Sequence, residues 1–242
     1  MFPIEREKEI LRIIDCEGKA SVETLAELTG ASEMTIRRDL ERMDKRGIII
    51  RTHGGAVRRD YLDEAPFINR DAQMRTEKSA VAKRASGMIS EGAVIFADSS
   101  TTVMRVVPFL TDKNVTVITN GLMTAAECGK YSVRAICSGG ALNGLSYTLT
   151  GIEAVKCAQR YRADMFLFSC KGIDGYGIYE STAEVCAVKE AMAASAAKNI
   201  LLADYSKINV AGKVRLDIRP DIFITDGDPA GCAVTGTEVI RI

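Results

Sequence analysis

Two groups of side chains in this sequence have types and spacings that carry chemistry. Between residues 34 and 59, eight basic residues (Arg37, Arg38, Arg42, Lys45, Arg46, Arg51, Arg58 and Arg59) stand against three acidic ones, a net of +5. Residues 1–33 hold four basic against eight acidic, a net of −4, and the whole chain balances 32 Lys+Arg with 32 Asp+Glu. A zero total therefore conceals a compact cationic stretch, the electrostatic footprint of phosphate binding. The second group is a series of polar and glycine-rich clusters, each following a short apolar run. They are Asp98-Ser99-Ser100-Thr101-Thr102, Thr119-Asn120-Gly121, Ser138-Gly139-Gly140, Cys170-Lys171-Gly172-Ile173-Asp174, Asp204-Tyr205-Ser206-Lys207 and Thr225-Asp226-Gly227. Ser99, Ser100, Thr101 and Thr102 opening a helix would offer free N–H groups and a positive dipole end to an anion. Lys171 and Lys207 would neutralise a phosphate, and Asp98, Asn120 and Asp174 would hold hydroxyls. Any one cluster reads better as a helix cap or a turn than as a site; six on one edge are harder to dismiss.

The elements that must position these groups follow from periodicity. Ile10, Ile13 and Ile14 mark a helix over Ile4–Glu17 that Gly18 stops. Ser21 caps a short second helix ending at Gly30, and Ser32 caps a third reaching about Arg46, with Gly47 beyond. Two helices joined by a tight glycine-containing turn match the helix-turn-helix pattern. On the third helix, Ile36, Leu40 and Met43 form the core stripe. Met34, Arg38, Arg42 and Lys45 fall opposite, with Thr35 and Arg37 flanking them near the helix start. A cationic outer face with short polar residues at its beginning suits the major groove, where Arg forks onto guanine. Ile48–Arg51 then reads as a strand and residues 52–57 as a hairpin tip, a two-stranded wing placing Arg51, His53 and Arg58 on the DNA backbone or minor groove.

From Glu77 the pattern changes. A helix burying Val81, Ala85, Met88 and Ile89 is followed by apolar runs at Ala93–Ala97, Val115–Ile118, Val133–Cys137, Met165–Ser169, Asn199–Ala203 and Ile222–Thr225, alternating with helical stretches. That alternation predicts a mostly parallel sheet covered on both faces, with all strand ends, and so all six clusters, on one edge.

Composition excludes several classes. Hydrophobic content of 47% and charged content of 26% are globular values. The longest uncharged stretch, Ala135–Ile152, is full of Gly, Ser, Thr and Asn, so no transmembrane helix is expected. The beginning, MFPIEREKEILRII, turns charged at once and has no signal core, so a cytoplasmic protein is expected. Seven cysteines without a CxxC pair suit neither a disulfide framework nor a zinc site, and His53, the single histidine, has no ligand partners nearby. No metal or cofactor is expected. Cys170 is the thiol to weigh for redox sensing, against the plainer reading of a small apolar residue.

TIRRDL at 35–40 followed by RTHGGA at 51–56 resembles the winged-helix domain of the DeoR family of bacterial repressors. Ala31-Ser32-Glu33-Met34, just ahead, departs from the family's more usual Val-Ser, and these positions would tune the operator sequence. Phe67 and Arg70 resemble its Phe-x-x-Arg segment. Glu77 to Asp226 is similar to the family's sensor domain, which is related to ribose-5-phosphate isomerase. The matching motifs are Glu77-Lys78, Asp98-Ser-Ser-Thr-Thr, Thr119-Asn120, Ser138-Gly-Gly, Gly151, Lys171-Gly-Ile-Asp174, Lys189 and Asp204-Tyr-Ser-Lys207. Ser100 stands where the family usually has Gly, and Lys171 where many relatives carry a smaller residue.

The resulting expectation is an α/β chain in three parts. A winged helix-turn-helix DNA-binding domain spans 1–57, a linker 58–76, and an effector-sensing, mostly parallel α/β domain 77–242. The DNA-binding set is Ser32, Met34, Thr35, Arg37, Arg38, Arg42, Lys45, Arg51, His53 and Arg58. The effector set is Asp98, Ser99, Ser100, Thr101, Thr102, Thr119, Asn120, Gly139, Gly140, Lys171, Asp174 and Lys207. The resemblance implies a repressor of a sugar catabolic operon, relieved by a phosphorylated sugar or related metabolite. Its partners would be double-stranded operator DNA and a second copy or more of itself, as a dimer or tetramer. The rival is an active sugar-phosphate isomerase carrying a DNA-binding domain, with Lys171 and Asp174 as acid–base groups. Shared architecture does not by itself carry activity.

Overall fold

A computed structural model describes residues 2–17, 19–46, 48–52, 54–58 and 66–242, with the backbone alone at 15–17 and 58. Its contacts divide the chain into two compact units, Met1–Arg70 and Asp71–Ile242.

In the first unit, α1 (Pro3–Glu17), α2 (Val22–Thr29) and α3 (Glu33–Lys45) bury Ile10, Ile14, Leu25, Ile36, Leu40 and Met43 together. The start and stop signals act as the sequence implies. The Ser21 hydroxyl accepts from Thr24 N–H, Gly30 closes α2 in the left-handed conformation (φ 66°), and the Ser32 hydroxyl accepts from Thr35 N–H. The wing has three strands, not the expected two. β1 (Lys19–Ser21) pairs antiparallel with β3 (Gly55–Arg58), which pairs with β2 (Ile49–Thr52). That third strand gives Gly55 its reason. A Cβ there would lie 2.1 Å from the Ala20 carbonyl oxygen, so only glycine lets β1 close on β3. His53 and residues 59–65 of the expected linker lie outside the described residues. Within that expected linker, Phe67–Ala72 forms a helix, α4.

The second unit opens with α5 (Arg75–Ser86), which stops before Met88 and Ile89. Its sheet contains β4 (Val94–Ala97), β5 (Thr116–Thr119), β6 (Arg134–Cys137), β9 (Met165–Phe168), β12 (Asn199–Leu202), β14 (Ile222–Thr225) and β15 (Glu238–Arg241). All pairs are parallel, in the order β15-β14-β12-β9-β4-β5-β6. The strand β15 is absent from the sequence reading, because Glu238 and Arg241 break its apolar pattern. Side chains alternate between faces. Ile95, Val117, Leu167 and Ile200 face one core with α5; Phe96, Ile118, Phe166, Phe168 and Leu201 face the other. That second core is completed by Ala154 and Ala158 of α8 (Ile152–Arg160) and by Val188 and Met192 of α9 (Ala183–Ala194). Phe166 stacks on Phe168 at 5.1 Å and meets Phe96 edge-on at 6.5 Å.

The remaining elements decorate the strand ends: α6 (Thr101–Met104), α7 (Leu122–Lys130), the hairpin β7 (Ala141–Asn143) with β8 (Thr148–Thr150), and the antiparallel group β10 (Gly172–Ile173), β11 (Ile178–Glu180) and β13 (Val214–Leu216). The chain leaves β4 toward β5 and β6 on one side, then returns to build β9, β12, β14 and β15 on the other. The order thus reverses between β4 and β9, and in open parallel sheets the crevice outside the carboxyl ends at such a reversal is where ligands bind. Among the described residues no helix is long and apolar enough to cross a membrane.

Candidate functional site

The outer face of α3 is more selective than its composition implies. Ile36, Leu40 and Met43 are buried as expected, but so is Asp39, at 2% exposure. Its carboxylate accepts from Arg6 Nε (2.5 Å) and from Arg42. Arg42 also reaches Glu7 of α1 at 3.2 Å, and Arg46 pairs with the same Glu7. Arg42 is exposed, as expected, but it also ties α3 to α1, because a buried carboxylate draws the nearest guanidinium toward itself. Arg37 pairs with Glu33 and Lys45 with Glu41, each at 2.8 Å and one helical turn apart. Lys45 holds the Glu41 carboxyl below its ordinary range, first by hydrogen bonding and then by charge. Arg38 is exposed and makes no ion pair among the described residues, and Met34 stands 59% exposed one turn before it. The hydroxyls of Ser32 and Thr35 contact each other at 2.9 Å within the cap. Arg51 is exposed on β2; the side chain of Arg58, like His53, is outside the described set.

At the sheet's strand ends the expected residues divide into a buried scaffold and an accessible rim. Asp98 is fully buried. One oxygen accepts from Ser100 N–H (2.8 Å); the other accepts from Ser169 N–H (2.9 Å) and from Lys189 Nζ (2.8 Å). Lys189 also donates to Glu180 and to the Ser169 carbonyl (2.8 Å). Burial alone would lower the Lys189 pKa, but Asp98 and Glu180 outweigh it and hold the ammonium above its ordinary value. The Asp98–Lys189–Glu180 chain thus joins the ends of β4, β9 and β11 at the reversal. Asn120, also fully buried, donates from Nδ2 to the Leu149 carbonyl (3.2 Å), and its backbone carbonyl accepts from Leu149 N–H (2.7 Å), docking the β7–β8 hairpin over β5. Thr148 donates to Ser99 Oγ at 2.8 Å, and Thr119 Oγ1 accepts from Gly121 N–H at 2.9 Å. Thr101 and Thr102 are buried.

The helix expected after Ser100 is a single turn, Thr101–Met104, and its capping acceptor is Ser100 Oγ, bonded to Val103 N–H at 3.2 Å. One turn sums too few peptide dipoles to act as a strong anion site. Ser100 has ordinary extended backbone (φ −76°), so a serine costs no strain there and supplies the cap. Asp174 accepts from Tyr176 and Gly177 N–H groups, shaping the β10–β11 turn. Gly140 (φ 107°) lies so close to β8 that a Cβ would sit 2.2 Å from the Thr150 carbonyl oxygen. The accessible rim consists of Gly139 and Gly140, exposed, with Ser100, Lys171, Asp174 and Lys207, half-buried. Three residues before Lys207, Asp204 is fully buried; its Oδ1 accepts from Ser206, and its Oδ2 has no hydrogen-bond partner among the described residues. Cys170 is buried and its thiol is pushed up to about 12, chiefly by burial and then by Glu180, which keeps the reactive thiolate scarce.

Lys189, Glu180 and Ser169 were not among the expected site residues. Lys189 stood among the motifs that carry the family resemblance without a role assigned to it, and it is also a lone lysine on an apolar helix face, among Val185, Cys186, Val188 and Met192.

Comparison with known proteins gives two domain matches. The family described as DeoR-like helix-turn-helix domain matches residues 6–61, and the one described as DeoR C terminal sensor domain matches residues 73–226. The chain is 32% identical over 232 residues to the HTH-type transcriptional regulator GlpR of Haloferax volcanii, covering 94% of this chain and 91% of that one. It is 32% identical to the L-fucose operon activator of Escherichia coli, with 87% and 89% covered. It is 29% identical to the HTH-type transcriptional repressor CsqR of Escherichia coli, with 87% and 82% covered. Among solved structures, ribose 5-phosphate isomerase from Methanocaldococcus jannaschii aligns at 14% identity and a TM-score of 0.40, covering 54% of this chain and 52% of that one.

Proposed function

The chain belongs to the DeoR family of transcriptional regulators, and on that premise we propose that it represses a sugar catabolic operon and is released from its operator by a phosphorylated sugar. The relatives that span nearly its whole length are named as transcriptional regulators, and the chain is a regulator, not an isomerase. The observation that carries the effector reading is the set of accessible residues along the strand ends: Ser100 after β4, Lys171 and Asp174 after β9 and Lys207 after β12, all half-buried, and Gly139 and Gly140 after β6, exposed. Two ammonium groups suit a phosphate, and the polar rim suits hydroxyls. In this reading Asp98, Ser99, Thr101, Thr102, Thr119 and Asn120 act through the scaffold, holding the rim in place. The outer residues of α3 and β2, with Ser32, Thr35, His53 and Arg58, contact DNA in the same proposal. Two copies would present two recognition helices to two half-sites.

An effector releases DNA only if it binds the released state more tightly; equal affinity for both shifts nothing. The test combines melting and gel-shift measurements on the full chain with a panel of aldose, ketose and polyol phosphates. One compound should raise the melting temperature, because it binds only the native state, and should also free the operator without being converted. Turnover of an aldose phosphate to its ketose, or tighter operator binding with effector, overturns this reading.

A further inference from the structure

The residues that α3 turns outward are unequal, and the inequality points to how a base sequence is read; this rests on α3 being the recognition helix. Arg37 is held by Glu33, Arg42 by Asp39 and Glu7, and Lys45 by Glu41. Each would have to give up a carboxylate before reaching a base edge. Arg38 has no such partner among the described residues, so its five donors are free. One turn earlier stands Met34, the only apolar residue among the exposed positions of α3. It is 59% exposed and outside the core that Ile36, Leu40 and Met43 help to form. In the major groove the apolar feature is the thymine C5 methyl, and an unbranched, polarisable thioether adapts well to it.

We propose that Met34 and Arg38 are the base-reading pair of this helix. Met34 packs on the C5 methyl of a thymine, and Arg38 donates to N7 and O6 of a guanine in the same half-site. Residues i and i+4 lie on one face, separated by a rise of about 6 Å. Base pairs are spaced by about 3.4 Å, so the two bases lie one or two base pairs apart.

The test selects duplexes from a randomised library with the full-length chain. Each thymine of the selected half-site is then replaced by deoxyuridine, and each guanine by 7-deazaguanine, one at a time. The wild-type chain should lose about fourfold in affinity at one thymine, the worth of one buried methyl group, and about tenfold or more at one guanine. Met34→Ala should abolish the uracil penalty and leave the deazaguanine penalty; Arg38→Ala should do the reverse. Met34→Gln, similar in length but polar, should also lose the uracil penalty. Unchanged melting temperatures show that these surface variants are folded. Selection that succeeds with no uracil penalty at any thymine, or with penalties that persist in the variants, overturns the pair while leaving the regulator reading intact. Failure to enrich any duplex overturns the recognition-helix reading and the pair with it.

Discussion

The two candidate sites use ion pairs in opposite ways. In the winged unit, Arg37–Glu33 and Lys45–Glu41 lie in solvent, each side chain at least half exposed. Such pairs contribute about 0–1 kcal/mol, so a DNA phosphate can replace the carboxylate at little cost to the fold. In the sheet unit, Lys189 and Asp98 are at most 3% exposed in their side chains and Glu180 is 9% exposed. Charges taken out of water depend on one another, and removing one leaves the others buried and uncompensated. Asp39 with Arg6 and Arg42 is intermediate, a buried carboxylate answered by one buried and one half-exposed guanidinium. Exchangeable pairs suit a surface that must trade partners on binding DNA. A fixed chain suits a crevice whose rim must keep its shape before a ligand arrives.

The largest test of this contrast is Lys189→Met. It should destabilise the chain by about 3–5 kcal/mol, read as a lower denaturant midpoint. A loss below about 1 kcal/mol would mean that the buried chain is no more committed than a surface pair. Asp39→Ala comes next, with an expected loss of about 1–3 kcal/mol from the hydrogen bonds to Arg6 and Arg42. Urea melts should show it, and operator affinity should fall as α3 loosens from α1. Arg38→Ala should cost about 1–3 kcal/mol of operator binding with no change in melting. A drop in stability would show that Arg38 has a structural task the ion-pair pattern denies it.

Smaller effects sharpen the exposed side. Glu33→Gln frees Arg37, and it should tighten binding to duplex a few-fold and steepen its salt dependence, each added phosphate contact contributing roughly −0.9 to the log–log slope. An unchanged slope would show that Arg37 never reaches the backbone. Site-resolved alkylation at pH 8 completes the series. Exposed Cys137 should react in the native chain, and Cys170, buried with its thiol raised to about 12, only on unfolding.

Much of this architecture was legible in the residues. Ser21, Gly30 and Ser32 mark helix ends because a cap is a hydrogen bond between near neighbours. Five of the six apolar runs mark strands because a strand buried on both faces must be apolar along its length; the sixth became β6, an edge strand whose residues are mostly exposed, so the sheet is not covered on both faces there. TIRRDL and RTHGGA carried the family. What stayed hidden is non-local. Nothing near Lys19–Ser21 says that it joins the wing; Gly55 records that approach, but it reads as a turn until β1 is in place. Face-by-face reading put Arg42 outside, where it stands, but not in an ion pair, because Glu7, 35 positions earlier, enters only when α1 packs on α3.

The sequence by itself determined the three helices of the first unit with the caps of the second and third, six of the seven strands of the sheet, and that a cationic helix precedes a sheet edge rich in polar residues. Those properties depend on hydrogen bonds within a few residues and on the period of burial. Tertiary structure decided which charges are free: Asp98 and Lys189 are 91 positions apart, yet they share a buried hydrogen bond at the strand ends of the sheet. Electrostatic partnership depends on distance in space and on exclusion of water, and neither exists until the chain has packed.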